Sequence, residues 1–300
     1  MTTTVLTTAP PAKARSAGTG FFSWAMLGMT PFVAFSLLFL ILPTALLLVR
    51  AFEDQTGAFT FGNIGELFLN ERIRGEFLFS IEVSAASAVS GAFCGFFLAY
   101  AVVLGGLPSW LRSPVLTFSG VASNFAGVPL AFAFIATIGP VGLITMMLRQ
   151  NLGVNINVGG IILYKSTGLT LVYLYFQIPL MVLVIVPALD GLKREWREAT
   201  SVLGGTNYHY WRYVALPVLW PSVLGATLLL FANSFGAIAT AYSLSARFPI
   251  IPIELYAQIR GDVLNDPGLG YAIAFGMVVI TSITSGAYIW LRSRSERWLR

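Results

Sequence analysis

The chain has 300 residues, of which 56% are hydrophobic and only 10% charged, whereas a soluble domain carries about 25% charged residues. With a mean hydropathy of +0.78, a water-soluble fold would expose large apolar patches and aggregate, so the fitting solvent is a lipid bilayer. The net charge of +5 does not point to nucleic acid, because the basic residues flank apolar runs instead of gathering on one soluble module. Cys94 is the only cysteine and His209 the only histidine. An internal disulfide and a multi-Cys or multi-His metal site are therefore excluded.

Residues 1–20 are rich in Thr, Ala, Pro and Gly and carry Lys13 and Arg15; they are expected to form a flexible tail. The run from Phe21 to Val49 holds no charge. It is longer than the about 7–15 apolar residues of a cleavable signal, so it reads as a retained first spanning helix. Pro31 and Pro43 should bend or limit it. A spanning helix needs about 20 mainly apolar residues. Six segments qualify: 24–49, 79–104, 115–138, 169–189, 214–235 and 271–291. The expected fold class is all-α, a polytopic membrane protein whose membrane-embedded body runs over 21–300. The stretch 139–168 carries Gly-Pro, Asn and Gly-Gly punctuation, which predicts a loop with a short helix near Gly142 to Arg149.

Orientation follows from the basic residues. If the N-terminus is cytoplasmic, the inside segments hold eleven Lys and Arg against four acids. The outside segments then hold seven against eight. That asymmetry predicts both termini inside, and an even number of spans agrees. Within the second span, Ser87, Gly91, Gly95 and Ala99 recur every four residues. They put small side chains along one helix face, where a backbone of this chain or of a partner subunit can approach closely.

The segment 190–213 is too charged to span and too apolar for a plain solvated loop. Trp196, Ala199, Val202 and Leu203 recur at helical spacing, with Lys193, Arg194, Glu195, Arg197 and Glu198 on the other side. Gly204 and Gly205 end that helix. Thr206 is a candidate N-cap for a second short helix, and Pro217 falls where the next span begins. Two readings stand: an element that docks into a partner's groove, or an interfacial helix lying on lipid headgroups.

Here the sequence resembles a known family. Inner-membrane subunits of binding-protein-dependent ABC importers carry a loop pattern of E-A-A, three residues, G, nine residues, then I-x-L-P. This chain has Glu198, Ala199 and Thr200, then Gly204, then Val214, Ala215, Leu216 and Pro217, and every spacing fits. Thr200 replaces the second alanine and Val214 the isoleucine. The likeness extends upstream through Tyr173, Pro179, Pro187 and Asp190, and downstream through Phe231 to Gly236. It implies the ABC type I importer permease fold, in a bacterial plasma (inner) membrane. It also implies that 190–213 is a coupling loop in a cleft of a separate ATPase, with Glu198 as a polar contact, Ala199 keeping the docking face close and Gly204 providing the turn.

The expected partners are two ATP-binding subunits, a second permease of similar but non-identical sequence, a periplasmic or lipid-anchored solute-binding protein, and lipid. No cofactor is expected in this chain, and ATP is expected on the partner subunits. A phosphate-binding loop needs Gly-Lys followed by Ser or Thr. Lys13, Lys165 and Lys193 follow Ala12, Tyr164 and Leu192, so the chain itself is not expected to be an enzyme. The likeness is nearest to spermidine/putrescine-type permeases and their relatives for ferric iron and thiamine, supported by the outer loop from Tyr256 to Val263. A polyamine is the expected solute, with ferric iron, thiamine or another small solute as alternatives.

Polar groups at membrane depth are costly and often functional. Glu82 is the only acid inside an expected span; it either reaches the interface or lines a cation path. Asn124, Gln177, Asn233 and Ser234 are candidates for the translocation path, with hydrogen bonding between helices as the alternative for each. A stand-alone secondary transporter is the rival of another class, but no internal repeat or buried charge pair is legible.

Overall fold

The structure is a computed structural model that describes residues 24–54, 56–106, 108–154, 162–245, 247–260 and 267–296. The tail expected over 1–20 and the last part of the 256–263 loop lie outside these residues. The described residues are mostly helical and hold no strand, only an isolated β-bridge between Glu53 and Phe59. Six segments are long and apolar enough to cross a membrane: Gly28–Arg50, Glu71–Leu104, Val128–Leu152, Ser166–Asp190, Asn207–Phe235 and Pro267–Leu291.

The described residues divide into two units between Leu46 and Leu47. At the N-terminal end, α1 (Trp24–Ser36) runs into a π-turn at Leu37–Ile41 and on into α2 (Leu42–Arg50), which carries the boundary. The π-turn has a cause. Pro43 has no N–H to offer the carbonyl four residues back, and its ring crowds that carbonyl. The preceding turn widens, and Leu42 donates to Leu37 instead. The same device recurs before Pro217, where Leu216 donates to Trp211 and Trp211–Ala215 forms a second π-turn.

The second unit is built on α4 (Glu71–Leu104) and α8 (Ser166–Asp190). Ser87, Gly91, Gly95 and Ala99 of α4 are all buried, and their stripe lies on α8. A Cβ on Gly91 would stand 2.7 Å from Gln177 Cβ; one on Gly95 would stand 2.6 Å from Met181 Cβ and 2.7 Å from the Ile178 carbonyl oxygen. Of the two readings of this stripe, packing within the chain is what the structure shows. α11 (Leu216–Phe235) completes that core with Leu219, Ala226 and Leu230 against Ala88, Ala92, Val182 and Ile185, and α14 (Pro267–Glu296) packs along α11.

α4 begins well before residue 79. Apolarity marks where lipid can lie, not where a helix starts. Asn70 caps α4 by accepting from the Arg72 and Ile73 N–H groups. The charged first turns are then held by α13 (Ile251–Arg260). Arg72 donates to both Glu254 carboxylate oxygens at 2.8 and 2.6 Å, and Ile251 N–H donates to Ser80 Oγ at 2.8 Å. α3 (Gly62–Leu69) adds Leu67 to a core shared with Ile73, Phe235, Ile251 and Ile273.

The third pass also differs from an uninterrupted helix over 115–138. α5 (Ser109–Asn124) stops, and α6 (Val128–Ile138) restarts after Gly127, whose φ is +74°. Pro129 has no N–H for the carbonyl of Phe125, and Gly127 adopts a conformation that other residues rarely take. The two pieces both lie antiparallel along α8, but the third segment long and apolar enough to cross joins α6 to the helix after it, Val128–Leu152, instead of 115–138, so part of the loop expected over 139–168 belongs to it. Arg112 pairs with Asp190 at one end, Phe125 and Phe134 both touch Tyr175, and Leu130 and Ala131 join Leu169 and Val172 at the other end. A further short helix, α7 (Leu143–Leu152), follows α6.

Candidate functional site

The loop over 190–213 projects from the end of the bundle where α8 finishes. α9 (Arg194–Val202) is strongly amphipathic. Trp196 and Thr200 turn inward and are half-buried, while Ala199, Val202 and Leu203 face solvent. Val202 and Leu203 are each 87% exposed. Glu198 is exposed too and accepts from Arg194 Nε at 3.0 Å. Of the apolar face expected from spacing, Ala199, Val202 and Leu203 are thus open and only Trp196 is half-buried.

The turn after α9 depends on two glycines for different reasons. Gly204 has φ +78° with open space around it, so only its backbone conformation demands glycine. Gly205 donates its N–H to the Thr200 carbonyl at 2.8 Å, and a Cβ there would stand 2.7 Å from Thr200 Cγ2 and 2.9 Å from Thr200 O. The spacing pattern singles out Gly204 alone; Gly205 emerges only from this contact. Gly205→Ala is therefore expected to disturb the loop as much as Gly204→Ala, each costing about 1–3 kcal/mol locally. Limited proteolysis over 190–213 checks this: a Gly205→Ala loop as resistant as the unsubstituted one would refute the contact's importance.

Beyond the turn, Thr206 caps α10 (Asn207–Tyr210), and its N–H donates to His209 Nδ1 at 3.2 Å. His209 thus serves its own helix. α10, the π-turn and α11 follow without a gap, so residues 207–235 form one rod of about 44 Å at about 1.5 Å per residue. Pro217 stands in the first turn of α11, the place expected for it, while α10 and the π-turn continue the rod ahead of it. Val214 is half-buried, whereas Leu216 and Pro217 are exposed. The foot of the rod is anchored: Tyr210 is buried, and Trp211 packs on the α4–α8–α11 core and meets Tyr100 edge-on. The loop is therefore free at its tip and fixed at its base to two long helices, α8 and α11.

The candidate path residues separate into two groups. Gln177 and Ser234 are buried and join helices. Gln177 Nε2 donates to the Leu230 carbonyl at 2.8 Å, and Ser234 Oγ lies within 3.4 Å of the carbonyls of Ser84, Leu230 and Phe231. Glu82, Asn124 and Asn233 are exposed at helix surfaces. Asn124 ends α5 at the interruption, where its Nδ2 donates to the Gly120 carbonyl at 2.9 Å. Asn233 sits just before a second interruption, at Gly236 and Ala237, which separates α11 from α12 (Ile238–Leu244). The two interruptions are tied together: Gly127 N–H donates to Thr240 Oγ1 at 2.7 Å, and the Tyr173 hydroxyl donates to the Ala237 carbonyl at 2.7 Å. Glu82 lines a small cavity of about 320 Å³ with Ser166, Thr167 and Thr170.

No family model matches the chain. It is 23% identical over 189 residues to a probable sulfate transport system permease protein, cysT, of Chlorella vulgaris, covering 61% of this chain and 71% of that one. It is 27% identical over 212 residues to the molybdenum transport system permease protein ModB of Mycobacterium tuberculosis, covering 69% and 75%. A 108-residue stretch is 29% identical to a spermidine/putrescine transport system permease protein PotC homolog of Mycoplasma pneumoniae, covering 36% of each. Among solved structures, a bacterial ABC transporter that imports the acidic polysaccharide alginate matches with a TM-score of 0.65 at 18% identity, over 91% of this chain and 96% of that one. The same transporter bound to its alginate-loaded periplasmic protein matches with the same TM-score. The fold is that of an ABC importer permease, and the chain is a multi-pass membrane protein whose relatives are permeases of transport systems.

Proposed function

We propose that this chain is the membrane-spanning permease subunit of an ATP-driven importer of small solutes. The observation that carries the reading is the loop over 190–213. It offers an exposed apolar tip, Val202 and Leu203, beside the exposed carboxylate of Glu198, and its base is continuous with α8 and α11. A rigid rod of this kind transmits a push at its tip into the bundle, which is what a separate ATPase needs from it. The loop and both termini then lie in the cytoplasm of a bacterial cell, and the ends of α4, α8 and α12 around residue 166 face outward. The working assembly contains two ATP-binding subunits, a second permease and a solute-binding protein. The last of these is supported by the periplasmic protein seen with the alginate transporter.

The solute is open among several classes. Relatives named for sulfate, molybdenum and spermidine/putrescine transport give a polyamine no priority over an oxyanion. The test is uptake into vesicles holding the assembled transporter. Uptake should require ATP on the loop side and the binding protein on the other. Uptake driven by an ion gradient through this chain alone would overturn the reading in favour of a secondary transporter.

A further inference from the structure

A second cavity, of about 830 Å³, lies at the end of the bundle opposite the coupling loop, where α8 begins and α12 gives way to α13. Two cations stand on its wall, Lys165 from the start of α8 and Arg247 from the segment before α13, with Ser166 and Ser245 between apolar walls that include Phe79 and Phe248. Among the described residues no carboxylate lines it, and neither Lys165 nor Arg247 takes part in an ion pair. The scaffold under both cations is fixed. Leu163, Leu244, Phe248 and Ile250 are buried in one core on either side of them. The Arg247 N–H also donates to Ser245 Oγ at 3.3 Å.

We propose that this cavity binds an oxyanion, held by Lys165 and Arg247 with the Ser166 and Ser245 hydroxyls beside them. The substrate-class part deepens the importer reading and rests on it for the outward position of the cavity. The chemistry is direct. An ammonium and a guanidinium both donate several N–H groups to anionic oxygens. A cleft lined by one sign of charge with apolar walls concentrates the field and raises the local anion concentration. The volume falls in the range of about 300–1,000 Å³ typical of small-ligand sites. Among the described residues, Glu82 lines a separate cavity of about 320 Å³ that also includes Ser166.

The same oxyanion chemistry is carried by a free solute, such as sulfate or molybdate, and by the phosphate of a lipid headgroup. The experiment separates them. The purified full-length chain in a phosphate-free maltoside detergent is titrated with sulfate and with molybdate by calorimetry. It is also examined by native mass spectrometry after addition of phosphatidylglycerol. The comparison is a Lys165→Gln/Arg247→Gln double variant, with Lys165→Arg/Arg247→Lys as the charge-preserving control and melting temperature as the check on folding. Both cations are exposed, so neither pair of substitutions should alter folding. A free-anion affinity that falls about tenfold or more in the Gln variant, equal to about 1.4 kcal/mol, and survives in the control supports a solute site. Lipid adducts that alone depend on the two cations support a headgroup site. If neither anion nor lipid binds, or if both bind the Gln variant as they bind the unsubstituted chain, the proposal is overturned. Because no ATPase or uptake enters this measurement, its failure leaves the importer reading standing, and failure of ATP-driven uptake leaves this site to be judged by itself.

Discussion

Gly95→Ala is expected to lower the stability of the helix bundle markedly, although it adds a single methyl group to a helix. Elsewhere that exchange is favourable, because alanine orders more readily than glycine in a helix by about 0.5–1 kcal/mol. At Gly95 the new Cβ would stand 2.6 Å from Met181 Cβ and 2.7 Å from the Ile178 carbonyl oxygen. Neither atom is the far end of a flexible side chain. The clash is relieved only if α4 and α8 separate, and those two helices hold the core that α11 completes. Overpacking of this type costs about 1–3 kcal/mol, enough to reverse the sign of the usual exchange. Gly120→Ala is the matched control, since it is helical and a Cβ there meets nothing within 4 Å. Thermal melting of the two variants in detergent decides the matter: the prediction is a drop for Gly95→Ala and no drop for Gly120→Ala. Equal melting temperatures would mean that α4 and α8 are not in the close contact described.

The second large effect concerns transport with folding intact. Val202→Asp with Leu203→Asp is expected to abolish ATP-driven uptake, or reduce it by about two orders of magnitude, while leaving melting unchanged. Both side chains are 87% exposed, so they contribute almost no burial to the fold. Exposed apolar pairs of this kind give their free energy only to a partner. Burying two such side chains in a groove contributes about 1.5–3 kcal/mol each, and replacing them with carboxylates removes that gain and adds a desolvation cost. Co-purification of the ATPase subunit and vesicle uptake are the two readouts. Wild-type uptake in the double variant would show that the loop tip is not a docking surface and would favour a helix resting on lipid headgroups.

Several features of the site are legible in the chain because they are local. A left-handed turn after an amphipathic helix needs glycine, so Gly204 is readable from its place in the pattern. A four-residue spacing of Ser87, Gly91, Gly95 and Ala99 can only line one helix face. Other features have weak local signals that an apolarity window averages away. The pair Gly127 and Pro129 marks the interruption between α5 and α6, yet the surrounding residues are apolar enough to read as one span. Asn70, followed by a charged turn, likewise marks the true start of α4, upstream of the apolar run.

What the sequence by itself determined is the solvent: too few charges for water and six apolar runs for a bilayer. It also marked the one charged loop of recognisable spacing, between the fourth and fifth runs, on which the proposed drive by ATP rests. These follow from composition and from contacts within a few residues. What only the tertiary structure decided is which polar groups are internal struts and which stand exposed on helix surfaces. Gln177 and Ser234 look like Asn124 and Asn233 in a list of polar residues at membrane depth. They differ because a helix distant in sequence, 53 residues away for Gln177 and 150 for Ser234, brings a carbonyl within reach of the buried pair. Lys165 and Arg247 are likewise two unrelated outer charges until α8, α12 and the segment before α13 place them on one cavity wall. Long-range packing sets those distances, and no local pattern encodes them.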